Sequence, residues 1–478
     1  MMHLRHLLLA GMASAALGAC VAGPPAEIAT PAPVLPAAFA YAPNAGEAAS
    51  LAALLPTDDP AYSALSTLAL AQSPTLGEAV ARIDAARAAA GRAGANRLPQ
   101  IAAGANVTGS RTNQSQIADA LPPGVSIDSE QISYGANLTA GWDVDLFGRL
   151  RAQERAATAR IDAAGADAAA VRLALLGEIA ATVIDWRTLS ARQASLEADL
   201  GAANNLARLT GSRERAGISP GFDRVRAESA AATSRSRLTA LEGERARLLG
   251  RLVTLTATSA QAVRTNLMLP ADSMTIPEAP AAAPSILLTG RPDVLAAWSR
   301  LAASDADLAA VAASRFPNIS LSAALGLLAF NPADLFDGES LVGSLGAAVA
   351  APLFDFGRIE ADIDQAEAGK RIAFQAYRGA VYSALGDAEA AYGIVASADA
   401  ELAAAVDEEA RNSRAARLAD VRYRAGLADF LTVLEARRSA DASGERVAAA
   451  NGRARRARVL LWQALGGDYQ PASLSSSQ

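Results

Sequence analysis

Histidine is almost missing from this chain. Of its 478 residues only His3 and His6 are histidine, both within the first few positions, and Cys20 is the single cysteine. Ser-His-Asp and Cys-His catalysis and ordinary zinc sites are therefore out of reach for the rest of the chain. Paired-carboxylate chemistry stays formally open, but no glycosidase or nucleotide-binding motif accompanies the acids, and neither a P-loop nor a Gly-rich dinucleotide turn is present. Lysine is reduced to Lys370, a bias that fits a GC-rich genome better than a function. Aromatics make up 5% although 51% of the chain is hydrophobic, because much of the apolar fraction is alanine, which favours helix and permits close helix packing. A net charge of −6 leaves no basic footprint for nucleic acid. Past the N-terminus no apolar run reaches about 20 residues, so further membrane insertion has to use β-strands.

The N-terminus itself reads as a signal. Met1 to His6 carries one fixed charge, Arg5, and Leu7 to Leu17 is apolar but too short to span a bilayer. Leu17-Gly18-Ala19-Cys20 resembles the lipobox of bacterial lipoproteins, in which the peptide is cut before the cysteine and the thiol is acylated. Each buried methylene adds ~0.8 kcal/mol of membrane affinity, and several chains anchor stably. Residues 1–19 are then a signal peptide and the N-terminal lipid on Cys20 is the only bound group expected. Val21, in place of the Asp that marks inner-membrane retention, implies the outer membrane. A plain secretory signal with a stray cysteine is the alternative.

The chain is written twice. Arg97-Leu98-Pro99-Gln100-Ile101 returns as Arg315-Phe316-Pro317-Asn318-Ile319, 218 residues on, and Phe147-Gly148-Arg149 as Phe356-Gly357-Arg358, 209 on. Arg215-Ala216-Gly217-Ile218 matches Arg424-Ala425-Gly426-Leu427, again at 209, so one loop between the Pro and Gly-Arg landmarks is nine residues shorter in the second copy. The expected organisation is an extended lipidated arm over 20–72, a first repeat over 73–258, a Pro-rich linker over 259–290, a second repeat over 291–466 and a disordered tail over 467–478. Each repeat reads as helix, β-hairpin (100–147 and 318–356), long helix, tight turn at 217 or 426, and returning helix. Helices beginning near Glu78 and Asp293 stop at Pro99 and Pro317.

Residues 132–146 alternate, with Ile132, Tyr134, Leu138 and Trp142 on one face and Ser133, Asn137, Thr139 and Asp143 on the other. Ile319 to Leu327 do the same; Ile101 to Ser110 and Leu341 to Phe354 are the weaker partners. The period fits a half-buried soluble sheet and equally a transmembrane barrel, which the lipoprotein signal favours. From Arg149 to Ala216 there is no proline, and Val171, Leu175, Ile179, Val183 and Trp186 recur at helical spacing, as do Val381, Leu385, Ala388, Tyr392 and Val395. A helix of about 68 residues is roughly 100 Å long, far more than a compact domain needs. Gly217 and Gly426 sit where helix C-caps want glycine.

The lipobox, the doubled Pro before a strand, the doubled Phe-Gly-Arg before a long helix and the run Arg422-Tyr423-Arg424-Ala425-Gly426-Leu427-Ala428-Asp429-Phe430-Leu431 together resemble the TolC-like outer-membrane efflux factors, in their lipidated, NodT-type drug and metal branch. The resemblance runs to about Gly466. It implies a mainly α fold with a transmembrane β-barrel, four strands per chain closing a 12-stranded barrel in a homotrimer, continued by a long periplasmic α-helical barrel. It also implies a passive duct rather than an enzyme. The expected partners are a periplasmic adaptor protein, an inner-membrane proton-driven pump and outer-membrane lipid, with small toxic molecules as cargo. The tips Ala216-Gly217-Ile218 and Ala425-Gly426-Leu427 are candidate adaptor contacts. In the family, acids just past the tip line the closed mouth; here Glu435 and Asp429, with Asp223 and Arg226 in the first copy, are the candidates, and a ring of three carboxylates attracts cations. Arg226 is expected to pair with a carboxylate. Asp143 and Asp145 either line the lumen or cap the following helix. A type I protein-secretion duct and a pore-less coiled-coil lipoprotein are the rival readings.

Overall fold

The computed structural model describes residues 28–43, 51–111, 130–270 and 275–468. Cys20, the segment 1–19, the whole loop 112–129 between the first two strands and the tail from 469 lie outside the described residues. In chain order the elements are α1 (Pro60–Gln72), α2 (Pro74–Ala95), β1 (Gln100–Arg111), β2 (Glu130–Val144), α3 (Arg149–Arg215), α4 (Gly221–Thr256) and α5 (Ala260–Leu267). They continue with α6 (Leu287–Gly290), α7 (Pro292–Ala312), β3 (Asn318–Ala329), β4 (Leu341–Ala350), α8 (Arg358–Arg424) and α9 (Phe430–Ala464). No described helix is long and apolar enough to cross a membrane.

Two compact units divide the chain. The first, which among the described residues takes in 28–31, 84–111, 130–162 and 299–375, holds the sheet. Its order is β1-β2-β3-β4, antiparallel throughout. The expected alternation is realised. Ile101, Val107, Ile132, Leu138, Leu325 and Leu345 share one face and are exposed there, while the opposite face carries Asn106, Ser133, Asn137 and Thr139. On that polar face Gly326 has no room for a side chain: a Cβ there would lie 2.6 Å from the Ala136 carbonyl oxygen. β4 ends at Ala350 and does not reach Phe354, since Pro352 has no N–H to give to a ladder. Both strand-to-helix junctions turn on a left-handed glycine, Gly148 (φ 78°) and Gly357 (φ 86°). Phe147 stacks on Phe316 with ring centroids 4.8 Å apart.

The second unit holds residues 32–83, 163–298 and from 376 onward. Its core is alanine-rich. Ile179, Val183 and Leu189 of α3 are buried, as are Val381, Ala388, Tyr392 and Val395 of α8 and Leu461 and Trp462 of α9. The stripes read from sequence are the packed faces, except that Val171 and Trp186 are only half-buried and that Ala384 rather than Leu385 is fully buried. The N-terminal arm is extended only in part, because residues 60–72 form α1. Asp59 accepts from the Ala61 N–H at 2.9 Å and Pro60 occupies the first helical position, a start signal that composition alone concealed. Segment 259–290 likewise contains α5, capped by Ser259. Three arginines pin the irregular segments. Arg187 holds fully buried Asp59 with two 2.9 Å bonds and donates to the carbonyls of Leu267 and Leu269. Arg291 joins Asp293, Asp387 and the Ala464 carbonyl, and Arg458 joins Asp399 to the Pro277 carbonyl.

Candidate functional site: the helical hairpin tips

The two tips are built alike, and both lie in the second unit. At the first, Gly217 has φ 71°, its N–H donates to the Glu214 carbonyl at 2.8 Å, and the Ile218 N–H reaches back to Arg213 at 2.8 Å. At the second, Gly426 has φ 75°, donating to Tyr423 at 3.0 Å, and Leu427 donates to Arg422 at 2.8 Å. This double bond pattern is the Schellman cap, which satisfies the last helix carbonyls and needs a residue tolerant of the left-handed region. The hairpins leave the tips differently. α9 starts at Asp429, whose carboxylate accepts from the Thr432 N–H at 2.7 Å and hydroxyl at 2.6 Å; these bonds hold it below the usual carboxylate range. α4 starts at Pro220, with no side-chain cap.

Beside exposed Arg215, Arg422 and Arg424, the tips present apolar side chains outward. Ile218 and Leu427 are 66% and 69% exposed, and Phe222, Val225 and Val421 are exposed beside them. Inward, Leu206 and Ala227 of the first hairpin pack with Ala419, Tyr423, Phe430, Val433 and Leu434 of the second in one buried cluster. Arg213 lies 4.8 Å over the Tyr423 ring and so bridges α3 and α8.

The charged candidates separate. Glu435 is exposed on α9, and Asp223 lies in the first turn of α4, half-buried. Arg226 does not pair with a carboxylate among the described residues; its guanidinium sits 5.1 Å over the Phe222 ring one turn back, where cation–π contact replaces the expected ion pair. Arg224 takes the carboxylates, Glu214 at 2.8 Å and Glu228 at 2.8 Å. In the first unit, Asp145 caps α3, accepting from the N–H groups of Leu150 (2.9 Å) and Arg151 (2.8 Å), and Asp143 lies 3.8 Å from Arg149.

Higher on the helices is a group that sequence reading passed over. Asp199 of α3 and Asp441 of α9 line one cavity, with Glu445 and the cations Arg237 and Arg437 around them. Burial first, then the neighbouring carboxylates, push the Asp199 carboxyl up to about 7, and Arg237 opposes them. A cavity of about 270 Å³ adjoins the pair. The one available signal was position: Asp199 stands three residues after buried Leu196 and seven before buried Leu206, inside the packing stripe.

The family model described as "Outer membrane efflux protein" matches residues 65–258 and 283–467, both repeats in full. The chain belongs to that family. It is 33% identical over 414 residues, 86% of either chain, to the pyoverdine export outer membrane protein OpmQ of Pseudomonas aeruginosa. It is 31% identical to the OpmQ of Pseudomonas putida over 87% of either chain. Among solved structures it superposes on the outer-membrane channel OprN with a TM-score of 0.83 at 28% identity, covering 93% of this chain and 98% of that one. Family members are outer-membrane efflux components, so this chain is an outer-membrane efflux protein, a duct and not an enzyme. The mainly helical fold with its four-stranded antiparallel sheet is that of the TolC-like channels.

Proposed function

We propose that three copies of this chain form a passive duct through the outer membrane, anchored also by lipid on Cys20, that receives small toxic molecules from a proton-driven inner-membrane pump through a periplasmic adaptor. The observation that carries the reading is the open sheet. Its apolar face is exposed, its outer strands β1 and β4 each have one unpaired edge, and four strands cannot close a barrel when about eight is the minimum. Three copies give twelve. The paired tips are the docking surface for the adaptor: a rigid Schellman turn with glycine at its apex lets another helical hairpin approach closely, and Ile218 and Leu427 supply apolar contact. The mouth lies just past the tips, where Glu435 becomes a ring of three carboxylates and Asp223 and Asp429 add charge. The names of the OpmQ relatives, which carry pyoverdine export, favour small-molecule cargo over protein secretion.

The test is site-specific photo-crosslinking in cells from Leu427, with mass spectrometry of the captured protein. An adaptor that co-purifies with a proton-driven pump is the expected product. An adaptor bound to an ATP-driven exporter moves the protein to secretion. No adaptor from a verified folded trimer overturns the tip contact.

A further inference from the structure

At the foot of the sheet, within the first unit, lies a cavity of about 540 Å³ walled by three arginines, Arg97, Arg151 and Arg155, together with Glu154, Leu146 and Phe147. It adjoins the strand ends, since β1 starts at Gln100 and β2 stops at Val144. The apolar face of the sheet ends at the same level. Trp142, on that face, donates its indole N–H to the Arg97 carbonyl at 2.8 Å, and Trp142, Leu146 and Phe147 are all exposed. The acids at hand are already engaged. Arg97 holds Glu154, and Asp145 accepts from Arg151 and from the N–H groups of Leu150 and Arg151. Arg155 is exposed and has no carboxylate partner among the described residues.

The fold does not require these cations. The second copy builds the same junction, yet 209 residues on it carries Glu360 in place of Arg151 and Asp364 in place of Arg155. There Arg315, the counterpart of Arg97, pairs with Glu360 at 2.6 Å. The charge is reversed, while both junction glycines keep a left-handed φ and both long helices run for 67 residues. The basic side chains of the first copy therefore serve something other than the chain's own packing.

We propose that Arg97, Arg151 and Arg155 bind the phosphate of an anionic phospholipid in the periplasmic leaflet of the outer membrane, one per copy, with its acyl chains against Trp142, Leu146 and Phe147. The proposal rests on the reading of the sheet as a barrel wall in that membrane. Guanidinium groups match phosphate oxygens in a planar, bidentate fork. Tryptophan settles at the level of lipid headgroups, and basic pockets at that level take anionic ones. A free phosphate ion would meet the arginines but leave the exposed apolar rim uncovered; an acyl chain covers it.

The test is native mass spectrometry of the full-length trimer in detergent, titrated with phosphatidylglycerol, with phosphatidylcholine of the same chains, and with inorganic phosphate. Phosphatidylglycerol is expected to saturate at three per trimer and to bind more tightly than phosphatidylcholine. Arg155→Asp, the residue that the second copy already tolerates, should weaken it by about tenfold, as loss of one charge-assisted contact does, and Arg155→Gln should weaken it less. Arg371→Asp makes the same change of charge at an exposed position that does not line the cavity, and should bind as the native chain does. Unchanged binding in both Arg155 variants overturns the site. Equal losses in Arg155→Asp and Arg371→Asp make the effect one of net charge and overturn it too. Displacement of the lipid by an equal concentration of inorganic phosphate leaves an anion site and overturns the lipid. An unsubstituted chain that stays monomeric and fails to insert into vesicles removes the duct reading, whereas an inserted trimer with no preference between the two lipids removes only the site.

Discussion

At the scale of single residues, the positions that chemistry constrains most are those that sequence announces. Gly217 and Gly426 are readable as C-caps because helices commonly end on a residue that accepts positive φ, most often glycine, and both adopt it. Replacing Gly426 with valine forces a β-branched side chain into the left-handed region at a cost of about 1–2 kcal/mol, with no clash to relieve since nothing lies within 4 Å of the added Cβ. The expected outcome is lost efflux in a drug-accumulation assay with trimers intact on native gels, while Gly426→Asn, which tolerates that conformation, keeps most activity. Normal efflux by the valine variant removes the tip from the docking surface. Asp59 tells the opposite story. Its partner Arg187 is 128 residues away, so nothing local marked it, although the Asp-Pro start signal was present in the sequence. Asp59→Ala strips the cap from α1 and leaves a guanidinium, 23% exposed, with only two carbonyls. Breaking a buried pair costs about 3–5 kcal/mol, and the partial exposure of Arg187 puts this one near the lower end. A markedly lower Tm in a thermal melt, with the fold retained at 25 °C, is the check.

Among the elements, period 2 and period 3.6 were both legible because each has a face with one fate. The strands alternate over 130–144 and 318–329, and the long helices carry buried stripes from Ile179 to Leu196. What escaped was the pairing of stripes. Periodicity says that Asp199 faces inward but not that it meets Asp441 from a helix 242 positions later. That contact has a pH signature. The folded chain keeps a proton on the pair up to about pH 7, whereas an unfolded Asp releases it in the ordinary carboxylate range. Between those limits the native state binds more protons than the unfolded state, so stability falls as pH rises through the window and levels off above it. Asp199→Asn supplies a permanent donor to Asp441 and removes the need for the proton. The Tm of the native chain is expected to drop from pH 5 to pH 7.5, with a flatter profile for the variant. Equal slopes in the two mean that Arg237 and Arg437 already compensate the charge.

For the whole molecule, the repeat carried most of the argument. Duplicated landmarks gave two hairpins of strands and two of helices, and both family-matched segments coincide with the copies. A duct's chemistry is less legible, because selection at a mouth comes from symmetry that a single chain does not display. Glu435 is the one exposed acid of α9, where Asp441 and Glu445 are half-buried; in the proposed trimer, three-fold repetition is what turns it into a ring. Three carboxylates around one aperture act on ions within a Debye length, about 10 Å at 0.1 M salt and about 3 Å at 1 M. Glu435→Ala should therefore bring the cation-to-anion permeability ratio in planar bilayers towards one at 0.1 M, and change it little at 1 M, where the ring is already screened. Asp429 provides the contrast. Its carboxylate is committed to Thr432 as the cap of α9, so Asp429→Ala is expected to loosen the first turn of that helix and to alter selectivity less than loss of Glu435. If reversal potentials at low salt are the same for Glu435→Ala and the native channel, the aperture lies elsewhere along the helices, and Asp223 becomes the residue to replace next.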